Sequence, residues 1–191
     1  AIGPGALSGL AIEAVAGLST EQLSALTSSQ IAGLKPEQVA GFTPLQIAGF
    51  SSSQIGALTA SHVAALPGDR VAALSSRQIA ALSAKSIPGL TGEQIAGLGV
   101  EQIDALTSTQ VAALTATQIG ALGSAALATF SATDIAAISA SAVSGLSTEN
   151  VAALNADQLS ALTGSQIAGL TAGQIEAFSP TQMSSLSATQ W

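Results

Sequence analysis

Leu90-Thr91-Gly92-Glu93-Gln94-Ile95-Ala96-Gly97 is one copy of an eight-residue pattern that runs through the chain without an insertion or deletion. Counting in eights from Ile2 through Leu10, Leu18, Leu26 and Leu34 to Phe178 and Leu186, the first slot is Leu, Ile or Phe in all 24 copies. Five residues after each lies a second series, Leu7, Val15, Leu23, Ile31 and onward to Met183 and Trp191, which is apolar in all 24. A period this strict decides architecture and is read before any local motif.

The octad reads apolar, Ser/Thr, x, x, Gln, Ile/Val, Ala, Gly/Ala. Slot two is Ser or Thr in 17 of 24 copies and slot five is Gln in 15 of 24. A hydroxyl followed three residues later by Gln is a capping box: the hydroxyl accepts from the N3 amide, and the N3 side chain reaches back to the N-cap amide. Slots one and six then fall at N′ and N4, the two positions joined by a hydrophobic staple. Pro4, Pro36, Pro44 and Pro180 all fall in slot three. That slot is N1, where a missing N–H costs nothing. Glu13, Glu21, Glu37, Asp69, Glu93, Glu101, Glu149 and Asp157 all fall in slot four, where a carboxylate meets the positive end of the helix dipole. Independent residue types therefore agree on one register, with a short helix of about six residues restarted at every Ser/Thr.

A single continuous helix is excluded because its apolar stripe would drift by roughly 80° per octad, and no partner could cover it. Extended strands are excluded because apolar spacings of five and three do not alternate. Slot eight holds Gly in nine and Ala in 12 of its 23 occurrences. A left-handed C-cap would demand Gly more strictly, so close approach of successive helices is the better reason for small residues there. Two buried aliphatics fall well short of offsetting the entropy of ordering eight residues, so an octad cannot fold alone and has to stack on others. The expected fold is all-α: an α-solenoid of about two dozen short capped helices, one per octad, forming a single domain over residues 1–191.

The formal net charge is −7, and the only cations are Lys35, Arg70, Arg77 and Lys85. A nucleic-acid partner needs a basic footprint and is not expected. No run of about 18 apolar residues is present, so membrane insertion is not expected either. With no Cys there is neither a disulfide nor a thiolate. A chain that starts at Ala1 without Met or a signal peptide is expected to be a mature form or a fragment.

The pattern is loose in the first two octads and weakens again between His62 and Pro88. There His62 and Arg70 take Gln slots, Pro67 takes a hydroxyl slot, and Pro88 sits late in a helix, where it removes a donor. Arg70, Arg77 and Lys85 occupy equivalent or adjacent slots of successive octads, a short basic row that reads either as a solvated charged face or as a partner contact. Gly123, Ala125 and Ala126 interrupt the polar slots later in the chain, followed by Asp134 and Ala142 in Gln positions. Leu45 is an extra aliphatic in a slot that should face solvent. His62 is the only histidine, so a His-rich metal site is absent, and its expected role is surface or capping. Slot-four acids spread one per octad do not converge as Ca²⁺ ligands must. Slot-two hydroxyls are already engaged as caps, which argues against a hydroxyl array that binds ice or glycans. No catalytic, cofactor or metal residue is expected.

Leu34-Lys35-Pro36-Glu37-Gln38-Val39-Ala40 is similar to the opening helix of a TAL effector repeat, a DNA-reading module. The second helix, the base-reading loop and the longer period are missing and the charge has the wrong sign, so DNA reading is not expected. As a whole the array resembles the octapeptide Leu-Thr-x-x-Gln-Ile-Ala-Ala tracts of very large bacterial surface and secreted proteins of the adhesin and haemagglutinin-like class. That resemblance implies an extracellular or cell-surface scaffold, stalk or filament segment without catalytic activity. Its neighbours would be flanking repeats of the same chain or copies joined end to end. The alternative expectation is an adhesin module that recognises a protein or glycan through the irregular octads at 62–88.

Overall fold

The computed structural model describes residues 7–190. Ile2, Pro4 and Trp191, which the octad pattern places in slots one, three and six, lie outside the described residues. Those described form 20 short α-helices and two 3₁₀ turns, with no strand among them. The helices are four to six residues long and mostly five, as in Pro36–Ala40, Ser52–Gly56 and Gly92–Ala96.

Each octad stops and restarts its helix through backbone geometry that the slots dictate. Slot one is extended wherever it closes a helix, as at Leu66 (φ −65°, ψ 130°) and Leu162 (φ −62°, ψ 131°). The following slot two is extended again, as at Thr91 (φ −77°, ψ 159°), and its hydroxyl accepts from the Gln94 N–H. Pro36, Pro44 and Pro180 sit in the first turn as expected, and all eight slot-four acids lie in first turns. Lys35 and Gly99 carry no acceptor side chain, so only the return half of the box forms: their N–H groups donate to Gln38 Oε1 and Gln102 Oε1, each at 2.8 Å. No described glycine has positive φ, so slot eight does not require Gly for a left-handed cap.

The chain divides into two compact units, Ala1–Leu98 and Gly99–Trp191. In unit 1 the principal packing joins helices three octads apart, which sorts them into three stacks. Ile12–Ala16, Pro36–Ala40, Ala60–Ala65 and the 3₁₀ turn Ile87–Gly89 form one. Thr20–Ser24, Pro44–Ala48, Gly68–Ala72 and Gly92–Ala96 form the second, and Ser28–Ala32, Ser52–Gly56 and Ser76–Ala81 the third. Unit 2 repeats the plan: Val100–Asp104, Ser124–Leu127, Thr148–Ala152 and Ala172–Glu176 stack together, as do Ser108–Ala112, Ala132–Ala137, Ala156–Ala161 and Pro180–Ser185. In the third stack of unit 2, Ala116–Gly120 packs on the 3₁₀ turn Val143–Gly145. Each unit is thus a helical repeat solenoid.

The two apolar series fill the interior. Ile31, Val39, Ile47, Ile55 and Ile79 have no exposed surface, and among slot-one residues Phe42 is equally enclosed and Leu58 nearly so. Phe42 and Phe50, in slot one of consecutive octads, meet edge to face with ring centroids 5.5 Å apart, a favoured aromatic geometry. Leu45 is exposed, as its slot predicts.

Where slot eight meets backbone from another octad, that octad lies three repeats back in sequence, so the expected close approach is between stacked helices and not between successive ones. A methyl group at Gly89 would collide with the Ala60 carbonyl, and one at Gly145 with the Ala116 carbonyl. Both glycines end 3₁₀ turns, in octads whose slot five is Ser86 or Ala142 instead of Gln. Pro88 lies within the first of these turns, consistent with its weakening a regular helix there.

Candidate functional site

The most ordered chemistry in the molecule is a ladder of buried side-chain amides. In each complete rung the Gln oxygen accepts from its own N-cap N–H, and the nitrogen reaches the layer beneath. Gln38 Nε2 donates to Leu7 O at 3.0 Å and Leu10 O at 2.8 Å. Gln54 repeats this with Leu23 O (2.7 Å) and Leu26 O (2.9 Å), and Gln94 with Val63 O (3.0 Å) and Leu66 O (2.6 Å). Unit 2 uses the same offsets of 31 and 28 residues: Gln166 donates to Ile135 O and Ile138 O, both at 2.7 Å, and Gln190 to Leu159 O and Leu162 O, both at 2.8 Å. Gln38, Gln118, Gln166 and Gln174 are at most 2% exposed.

The acceptors explain why an amide is needed. The slot-six carbonyl already accepts from the slot-one N–H that follows it, as Val63 O does from the Leu66 N–H at 3.2 Å, and the Gln adds a second donor there. The slot-one carbonyl precedes the next N-cap, outside the helix's own bonds, and is the one that short helices leave under-bonded. A buried carbonyl without a donor costs about 1 to 3 kcal/mol. Gln supplies an acceptor for one layer and donors for another from a single uncharged group. Glu completes a capping box equally well but has no N–H to give, and no slot five in the chain holds Glu. The exclusion of Glu, beside so many acids in slot four, is the signal that reading slot five only as a cap leaves unused.

The irregular octads are variations on this rung. Asn150, one methylene shorter than Gln, reaches Leu122 O at 3.1 Å but leaves its capping box incomplete. Asp134 reverses the polarity: its Oδ2 accepts from the Ser131 N–H and hydroxyl, and its Oδ1 accepts from the Ser108 hydroxyl at 2.7 Å. His62 is a buried cap and not a surface residue, with Nδ1 accepting from the Thr59 N–H at 3.2 Å and Nε2 2.9 Å from Leu34 O.

Of the three cations singled out in the sequence, Arg70 belongs to the ladder. Its Nε donates to Phe42 O at 3.2 Å, 28 residues earlier, and Nη1 pairs with the Asp69 carboxylate at 2.5 Å. The Arg70 hydrogen bond holds the exposed Asp69 carboxyl below its ordinary value, with the guanidinium charge acting in the same direction. Arg77 and Lys85 are exposed. Lys85 borders an open hollow of about 370 Å³ that is also lined by Gly56, Ala57, Leu58, Thr59, Ser83 and Ser86. The structure thus joins Arg70 to Asp69 and Phe42 and gives Arg77 and Lys85 no such role. Among the described residues no group of three or more His, Asp or Glu is placed to hold a metal ion, and no helix is long and apolar enough to cross a membrane.

A family model described as the ALTTAQ repeat matches residues 10–44 and again residues 87–116. This is a repeat protein. Both matched stretches contain complete octads, and the rungs continue outside them, at Gln54, Gln78, Gln158, Gln166, Gln174, Gln182 and Gln190. No curated protein matches the chain.

Proposed function

We propose that this chain is a non-catalytic structural segment, a scaffold, stalk or filament-forming array that works outside a bacterial cell. Its neighbours in this reading are flanking repeats of the same chain or further copies joined end to end. The observation that carries the reading is the recurrence of the amide rung at fixed offsets in both units. Polar side chains that would elsewhere converge on a ligand are here committed, in every complete rung, to fixing one layer on another. A quasi-one-dimensional array held by near-neighbour interfaces is suited to spanning distance and bearing load.

Negative-stain electron microscopy of the chain over a range of concentrations tests the proposal. Rods or filaments are expected, lengthening as concentration rises if copies join end to end. Compact particles at every concentration would overturn it.

A further inference from the structure

The rung at His62 differs from its neighbours in one chemical respect: it can take up a proton. His62 is 2% exposed, and both ring nitrogens face groups of fixed polarity. The Thr59 N–H can only donate and the Leu34 carbonyl can only accept, so together they select the neutral ring with its hydrogen on Nε2. Where Gln supplies an oxygen and an NH₂ at every pH, the imidazole supplies the equivalent pair only while neutral. A second proton would go to Nδ1, pointing at the Thr59 N–H. The return half of the capping box would be lost, leaving only the Thr59 hydroxyl's bond from the His62 N–H, and a buried ring would gain a charge.

We propose that the octad 58–65 is a proton-sensitive joint in unit 1. With the ring neutral, His62 closes the start of Ala60–Ala65 onto the layer containing Leu34; acidification opens that start. The elements packed against Ala60–Ala65 are Pro36–Ala40 and the 3₁₀ turn Ile87–Gly89. Their charged groups are Lys35 and Glu37 at the start of the former and Lys85 ahead of the latter. Two cations and one anion provide no excess of carboxylate to hold an imidazolium. In the following octad, the Asp69 carboxylate is already paired with Arg70.

The test is amide hydrogen exchange on the full chain, comparing wild type with His62→Gln at pH 7.5 and 5.5, an interval over which ordinary carboxylates stay ionised. The Thr59 N–H is read against the Ser51 N–H, which makes the equivalent bond to Gln54 Oε1 at 2.9 Å and cancels the intrinsic effect of pH on exchange. Protection of Thr59 relative to Ser51 is expected to fall by up to about tenfold on acidification in wild type and to stay constant in His62→Gln. A constant ratio in wild type, or an equal fall in both proteins, would overturn the proposal.

Discussion

The Gln94 side-chain nitrogen donates to the Leu66 carbonyl oxygen across 2.6 Å, 28 residues back along the chain, while the Gln94 oxygen accepts from the Thr91 N–H at 2.8 Å. One neutral side chain therefore starts its own helix and holds the layer beneath it. Replacing Gln94 by Glu keeps the cap but sets a carboxylate against the Val63 and Leu66 carbonyls. A loss of about 2 to 4 kcal/mol is expected in urea unfolding at pH 7. The same change at the exposed Gln22, whose capping bonds lie within its own helix start, should cost under about 0.5 kcal/mol. Equal losses at the two positions would show that the downward bonds contribute nothing.

Asn150 offers the converse experiment. Its shorter side chain leaves the return bond to the Ser147 N–H unmade. Asn150→Gln should complete the rung and raise stability by about 1 kcal/mol, read as a rise in Tm of roughly 2 to 4 °C. An unchanged or lowered Tm would mean that the surrounding layer has closed around the shorter residue.

How much of this was legible in the sequence differs between the two ends of the same side chain. The register, the helix starts, the buried series and the N1 prolines follow from the octad alone, because each concerns contacts within about four residues. The lower half of the Gln94 rung does not follow. A period of eight says that an octad must stack, but it carries no angle between successive helices, so it cannot say which octad lies beneath. The absence of Glu from slot five was the available clue. The sequence likewise marked Ala142 as an interruption without revealing that its octad tightens to a 3₁₀ turn at Val143–Gly145. That outcome depends on how closely the Ala116 backbone approaches.

That approach gives a third prediction. Gly145→Ala should destabilise the chain by more than about 2 kcal/mol, because the methyl group meets the Ala116 carbonyl and the backbone has to move. At Gly173, in the first turn of Ala172–Glu176, an added Cβ meets nothing within 4 Å. Gly173→Ala should therefore stabilise by about 0.5 to 1 kcal/mol through helix propensity and a less flexible unfolded chain. Thermal denaturation of the two variants separates steric from conformational effects of the same added atom.

The reversed rung at Asp134 is open to a double-mutant cycle. Ser108→Ala and Asp134→Ala singly remove the Ser108 hydroxyl bond to Asp134 Oδ1, and the coupling between them should be about 1 kcal/mol, held down by partial exposure of the pair. Additive effects would show that the contact is incidental to stability.

The 28- and 31-residue offsets of the amide bonds also constrain how such a chain can vary in length. Adding or removing one residue between Leu66 and Gln94 would carry the donor past its acceptors and turn the staple residues out of the core. Adding eight returns a residue of the same kind to every place. Growth or shrinkage of the gene is then tolerated only in whole-octad steps, and a lineage can lengthen its product by duplicating twenty-four bases at a time without inventing a new interface.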